Sequence, residues 1–224
     1  MTYASYAGHD IVSGVITLPY WGCLVADVGF TVFDQIDLQG SLIIGDMKYE
    51  SAVYRSSGYA GSRTARLVGG AGGWRKPVPS QGYYQESGVQ ASMVLRDCAA
   101  AVGERVMLAQ DRSVGPHWAR EAAVASRTLR QIAGLQWWVD AAGTTQVGSR
   151  TLVSQITSAF DVLMRTGGKG TVTIATEQLA DWTPGRTFAL PDSSTLSTIS
   201  TVIITLGEGG KSRLEVMTVG SEND

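Results

Sequence analysis

Runs of β-branched and alternating apolar residues, each closed by a turn signal, fill two separate stretches of the chain, residues 11–68 and 135–219. In the first, residues 11–19 read as a strand that Pro19 closes, and residues 24–33 read as a second. Residues 34–37 read as a connection. Residues 41–45 and 48–54 make two more strands about a Gly45-Asp46 turn, and 62–68 a fifth after the loose stretch 56–61. Residues 1–10, small, polar and aromatic, read as an arm or loop. In the second stretch, residues 135–140 and 145–147 predict a hairpin about 141–144, and residues 156–165 and 170–175 a second one through 166–169. Residues 186–190 form a brief strand after the Pro184-Gly185 turn. Residues 198–206 and 211–219 form a terminal hairpin about 207–210, followed by a polar tail from Ser221. Ile203 and Thr205 alternate with Val202, Ile204 and Leu206, so that strand is expected to be buried on both faces.

Between the two stretches the period changes. Residues 69–77 read Gly-Gly-Ala-Gly-Gly-Trp-Arg-Lys-Pro, and Pro77 and Pro79 predict extended backbone over 74–80. Ser87 and Gln90 match a capping box for a helix that runs to about Val102, where Gly103 supplies a left-handed C-cap. Val94, Cys98 and Val102 mark its apolar stripe, with Val89 and Met93 beside them. A second helix is predicted from Gly115-Pro116 to Gly134, burying Trp118, Ala122, Ala125, Leu129 and Ile132 and projecting Arg120, Arg127 and Arg130 on the other side.

Short strands at this spacing imply antiparallel barrels rather than a parallel sheet with crossover helices. The predicted fold is mainly β with two or three helices: a first β-barrel unit over residues 1–68, a Gly-rich loop and helical insert over 69–134, and a second β-barrel unit over 135–224.

Composition changes this picture little. The chain has 224 residues, 27 of them glycine, and only 17% are charged against about 25% in an average soluble domain. A low charge fraction suits a β-rich protein partly covered by other subunits. A net charge of −2 gives no global attraction to nucleic acid or anionic membrane. Residues 69–150 carry nine Lys/Arg against six Asp/Glu, too small an excess to name a polyanionic partner. The first ten residues have neither the basic nor the apolar region of a signal peptide, and no apolar run approaches the roughly 20 residues of a membrane span, so a protein made in the cytoplasm without membrane insertion is expected.

Candidate chemistry falls away on spacing. His9, Cys23, Cys98 and His117 are each more than ten residues apart, whereas zinc ligands come in close pairs, so no metal is expected. Cys98 on the apolar helix stripe is a core thiol rather than a nucleophile for His117, and two buried free thiols are expected. The glycines at 69–73 are followed by Trp74-Arg75-Lys76-Pro77, which cannot open a helix, and the 166–171 run fits a hairpin turn; neither is a phosphate cradle. Paired carboxylates leave no local signature, so a glycosidase remains the enzyme alternative. The arginines at 120, 127 and 130 read as a solvated face, and the six tryptophans as core or interface anchors.

The run Arg66-Leu67-Val68 through Gly69–Gly73 to Trp74-Arg75-Lys76-Pro77-Val78-Pro79, then Tyr83-Tyr84, Ser87-Gly88-Val89, Val94-Leu95-Arg96-Asp97 and Val102-Gly103-Glu104, resembles the hub proteins of tailed-phage baseplates and tail tips. The 135–140 strand, Pro184 to Phe188 and the closing hairpin follow in the same order, so the resemblance covers about residues 10 to 219. It implies two similar β-barrel domains per chain and a homotrimeric ring of pseudo-sixfold symmetry. Such a ring adapts the hexameric tail tube to a trimeric central spike or fibre among other baseplate proteins, and its lumen passes the tape-measure protein and then DNA. It implies a virion tail component with no enzymatic activity and no cofactor. The chain is short for a hub and shows no fused enzymatic or spike domain. Alternatives are another baseplate component, such as a wedge or distal-tail protein, or a tail-associated cell-wall hydrolase. Trp74, Arg75 and Lys76 are the interface candidates, with Trp74→Ala expected to impair assembly more than folding.

Overall fold

The computed structural model describes residues 4–31, 36–59, 61–151, 154–166, 170–191, 193, 195–207 and 212–218. The first unit contains β1 (Ala4–Tyr6), β2 (His9–Pro19), β3 (Val25–Phe30), β4 (Gln39–Ile44), β5 (Met47–Tyr59) and β6 (Ser62–Gly69). They pair antiparallel in the order β1-β4-β5-β6-β3-β2, and β2 returns to β1, so the sheet closes into a six-stranded barrel. Strand alternation fills it: Ile16 and Leu18, Val28 and Phe30, Leu42 and Ile44 point inward and are buried. Tyr6 is fully buried among them, and its hydroxyl donates to the carbonyls of Asp37 at 3.2 Å and Ser51 at 3.4 Å. Burial, with Asp37 and Glu50 nearby, pushes that phenol up to about 12.

Two expectations for this unit change. Residues 4–10 are not an arm, because β1 supplies the closing strand through a turn at Ala7 and Gly8, both at positive φ. Three residues are too few for a periodic signal. Residues 56–59 are not loose either: β5 stays paired with β6 out to Tyr59↔Ser62, held by ladder hydrogen bonds although residues 54–59 are all exposed.

The insert begins with a single 3-10 turn, Gly73–Arg75, so Trp74 is not extended as expected, while β7 (Pro77–Val78) is. There follow β8 (Gln81–Tyr84), α1 (Ala91–Val102), β9 (Arg105–Leu108), β10 (His117–Arg120), β11 (Ala123–Val124), α2 (Ala125–Ala133), β12 (Trp137–Val139) and β13 (Thr144–Val147). The stripe Val94, Cys98 and Val102 is buried against α2, and Gly103 is the left-handed C-cap, at φ 78°.

The capping box does not form. Val89 and Ala91 donate to the carbonyls of Gly115 and Arg112, and Gln90 bridges Ser113, which makes Gln90 itself the extended N-cap residue. Asp111 instead takes the Ser92 N–H at 3.0 Å. The second helix starts at Ala125 rather than after Pro116, since residues 117–120 pair with 81–84 as a strand. On that strand Arg120 is buried, not projecting: it donates to Asp97 at 3.1 Å and to the Pro79 carbonyl at 3.2 Å. The β12–β13 hairpin forms as predicted, but β13 runs parallel to β9 and Val147 packs into the insert's core.

The remaining strands are β14 (Asp161–Thr166), β15 (Thr171–Ala175), β16 (Thr187–Ala189), β17 (Leu196–Leu206) and β18 (Ser212–Thr218). They form the sheet β14-β15-β18-β17, with β16 also on β17. β17 pairs with β2 from Thr201↔Pro19 to Leu206↔Gly14, so the barrel wall continues into the second unit and one apolar core runs through both. The chain is thus mainly β, with a closed barrel, further strands on the same wall and a two-helix insert. β17 buries one face only: Val202, Ile204 and Leu206 are inside, while Ile203 and Thr205 are half-exposed because, among the described residues, no layer covers the outer side. β14 begins at Asp161, not 156; Ile156 is buried beside a single bridge from Gln155 to Thr187. The predicted turn residues 167–169 and 208–210, residues 33–35 and the tail lie outside the described residues.

Candidate assembly surface

The Gly-rich loop is tied down from below. Gly103 turns the chain at the end of α1 and sets Glu104 under residues 71–73. Its carboxylate accepts the Ala71 N–H at 3.2 Å and the Gly73 N–H at 2.5 Å. Only glycine fits at 73, where a Cβ would stand 2.3 Å from the Val102 carbonyl oxygen. Burial pushes the Glu104 carboxyl up, against the opposing pull of the loop N–H donors.

A raised carboxyl favours the protonated folded form, so its stabilising contribution is complete below the ordinary value of 4.5 and is lost as pH rises through the raised one. Glu104→Gln should remove that slope, and it should also destabilise at acid pH by about 1–3 kcal/mol, because an amide NH2 then faces a backbone N–H. In melts run upward from pH 4.5, the gap between wild type and variant should narrow.

The three interface candidates separate. Trp74 is 7% exposed in the insert's core, and its indole N–H donates to Thr145 Oγ1 at 2.7 Å. Arg75 and Lys76 are on the surface. The Arg75 guanidinium lies 4.2 Å over the ring of Tyr54 on β5, joining insert to barrel.

A second junction escaped the sequence reading. Arg150 lies over the rings of Tyr20 and Trp138, at 4.9 and 5.4 Å, and Trp21 packs against both aromatic rings. The Tyr20 hydroxyl donates to the Arg150 carbonyl at 2.9 Å, and the guanidinium donates back to the Tyr20 carbonyl. Burial lowers the Arg150 pKa from its ordinary value. Trp138 and Arg150 border a cleft of about 240 Å³ where barrel, insert and second unit meet, with Tyr49 in its wall. The six tryptophans were the one available signal, but nothing local tells which of them gather.

The groups weighed for chemistry sit apart. Cys98 faces α2, its Sγ 3.8 Å from the Ala125 carbonyl, and burial pushes its thiol up; His117 is exposed, with its ring 4.7 Å from that of Tyr84. Cys23 and Cys98 are both free thiols, Cys23 half-buried rather than buried. Among the described residues, no three His, Cys, Asp or Glu side chains gather as a metal-holding group. Glu50 and Glu104 line one cleft, but Glu104 holds the loop, and Ser41 and Lys48 bind Glu50 at 2.9 and 3.2 Å and hold its carboxyl below the ordinary value. Among the described residues no helix is long and apolar enough to cross a membrane.

This chain path, a closed barrel whose wall runs on into a second β-unit with a helical insert between, is shared with solved tail proteins. The chain is similar to the tail protein from Neisseria meningitidis MC58, at 14% identity and TM-score 0.64 over 98% of this chain and 96% of that one. It is similar to the 43 kDa tail protein of prophage MuSo2 from Shewanella oneidensis, at 10% identity and TM-score 0.59 over 96% of each. A component of the E. coli type VI secretion system, itself structurally similar to the T4 bacteriophage tail proteins gp27 and gp5, matches at 8% identity and TM-score 0.68 over 98% of this chain and 77% of that one. No protein family and no curated protein matches the chain in sequence. At these identities the shared property is the chain path.

Proposed function

We propose that this protein is a structural, non-enzymatic hub of a phage tail or of a related injection machine, located at the baseplate or tail tip. Three copies form a ring that presents six β-units, so the ring meets a hexameric tail tube on one side and a trimeric spike or fibre on the other. The lumen passes the tape-measure protein and then DNA. The observation that carries this reading is the β2–β17 junction, which puts two β-units on one continuous wall, in a fold shared along nearly the whole chain with tail proteins. Arg75 and Lys76 are the surface residues of the insert assigned to neighbouring subunits.

The test is mass in solution by light scattering, together with copy number in purified particles. Three copies per tail are expected. Six would favour a wedge or distal-tail protein, and a strictly monomeric chain absent from particles would end the reading. A cleared band in a peptidoglycan zymogram would overturn the non-enzymatic part.

A further inference from the structure

Arg150 stands where barrel, insert and second unit meet, and its charge has no counter-ion. Among the described residues its guanidinium donates only to the Tyr20 carbonyl and forms no ion pair. Most N–H groups of its planar fork are therefore unused. The ring faces of Tyr20 and Trp138 offset part of the cost of half-burying a cation, and the rest calls for an anion.

A second donor shares the cleft. Tyr49 lines it together with Trp138 and Arg150. Among the described residues its hydroxyl donates only to the Met47 Sδ, at 3.5 Å, a weak acceptor. Burial pushes this phenol up to about 12, with the Arg150 cation opposing, so it keeps its proton through the neutral range. Both carboxylates on the lining are held elsewhere. Glu50 is bound by Ser41 and Lys48, at 2.9 and 3.2 Å, and Asp140 takes the Thr144 N–H and the Gln146 amide, each at 2.8 Å. Leu18 and Trp138 add apolar wall.

We propose that this cleft is a carboxylate-binding site. The fork of Arg150 takes the two oxygens, Tyr49 donates to one of them, and Leu18 and Trp138 cover the adjoining carbon chain. A planar carboxylate matches the guanidinium fork, with two parallel N–H···O bonds. The volume of about 240 Å³ suits an acidic side chain or a short-chain acid and is too small for a nucleotide. The site lies within one chain and does not rest on the ring reading.

Trp138 provides the readout. Titrating the protein with sodium butyrate, at constant ionic strength against sodium chloride, should change tryptophan fluorescence saturably, with a Kd in the millimolar range; butylamine should have no effect. Arg150→Lys keeps the charge but loses the fork and should bind butyrate about tenfold more weakly. Tyr49→Phe removes one hydroxyl and should weaken binding about threefold. This second variant keeps the test decisive even if Arg150→Lys folds poorly. No saturable response, an equal response to chloride, or unchanged affinity in both variants overturns the site. Phenylglyoxal labelling of Arg150, read by mass spectrometry against exposed Arg130, then distinguishes the sources of the carboxylate. Butyrate should slow labelling of Arg150 alone in the free protein. Arg150 already protected in the assembled protein, without butyrate, assigns the site to an acidic side chain of a neighbouring chain. Labelling that is still butyrate-sensitive there assigns it to a free short-chain acid. A strictly monomeric chain that binds butyrate upholds the site and overturns the ring.

Discussion

Trp182→Ala should lower the unfolding free energy by about 3–5 kcal/mol, the usual range for deleting a fully buried large aromatic side chain. Trp182 has no exposed surface and sits at the centre of an edge-on aromatic cluster, with ring centroids 5.0 Å from Phe160 and 5.3 Å from Phe188. Among the described residues its indole N–H meets no acceptor. Trp182→Phe removes that donor and keeps part of the stack, so it should cost only about 1–2 kcal/mol. Urea unfolding checks both. Because one core spans the barrel and the second unit, the Ala variant should shift a single transition to lower urea. Two separated transitions, or equal losses for Ala and Phe, would show that the aromatic cluster does not couple the units.

The second large effect belongs to Trp74. With 7% exposure and an indole N–H bonded to buried Thr145, Trp74→Ala is expected to destabilise the protomer by about 3–5 kcal/mol. Trp74→Phe isolates the hydrogen bond: the Thr145 hydroxyl loses its donor in a buried site, at about 1–2 kcal/mol. Thermal melts of monomeric samples measure both. Arg75→Ala should change stability by no more than about 1 kcal/mol, since it loses one exposed contact with Tyr54, and Lys76→Ala by less. An assembly defect in either of those variants, with an unchanged melt, would mark this loop as a subunit contact. A large melt shift with Arg75→Ala would mean that the Tyr54 contact holds the insert on the barrel.

Much of the fold was legible wherever a short-range repeat carried it. The two-residue alternation of Ile16 and Leu18, or of Leu42 and Ile44, determines a one-sided strand by itself, because neighbouring Cβ atoms point to opposite faces. The four-residue recurrence of Val94, Cys98 and Val102 marks a helix face by the same local geometry, and Gly103 ends it because only glycine takes that backbone turn without strain. The candidate surface was legible only in part. Arg75 and Lys76 are exposed, but Trp74, Glu104 and the Tyr20–Trp138–Arg150 junction are set by groups far along the chain, for which adjacent residues carry no signal.

Tertiary structure decided everything that depends on who pairs with whom. Residues 117–120 have a spacing compatible with a helix, yet the backbone of 81–84 draws them into a strand and buries Arg120 against Asp97. Gln90 becomes the extended N-cap residue rather than the side-chain partner of Ser87, because Ser113 bridges it. Ala4–Tyr6, with no periodicity of its own, closes the barrel since it is the piece that satisfies the free sides of β2 and β4. The sequence by itself thus determined the local period and its breaks, through sterics within a few residues. Closure and the shared wall came from long-range hydrogen bonding and burial, whose partners are brought together only when the whole chain is folded.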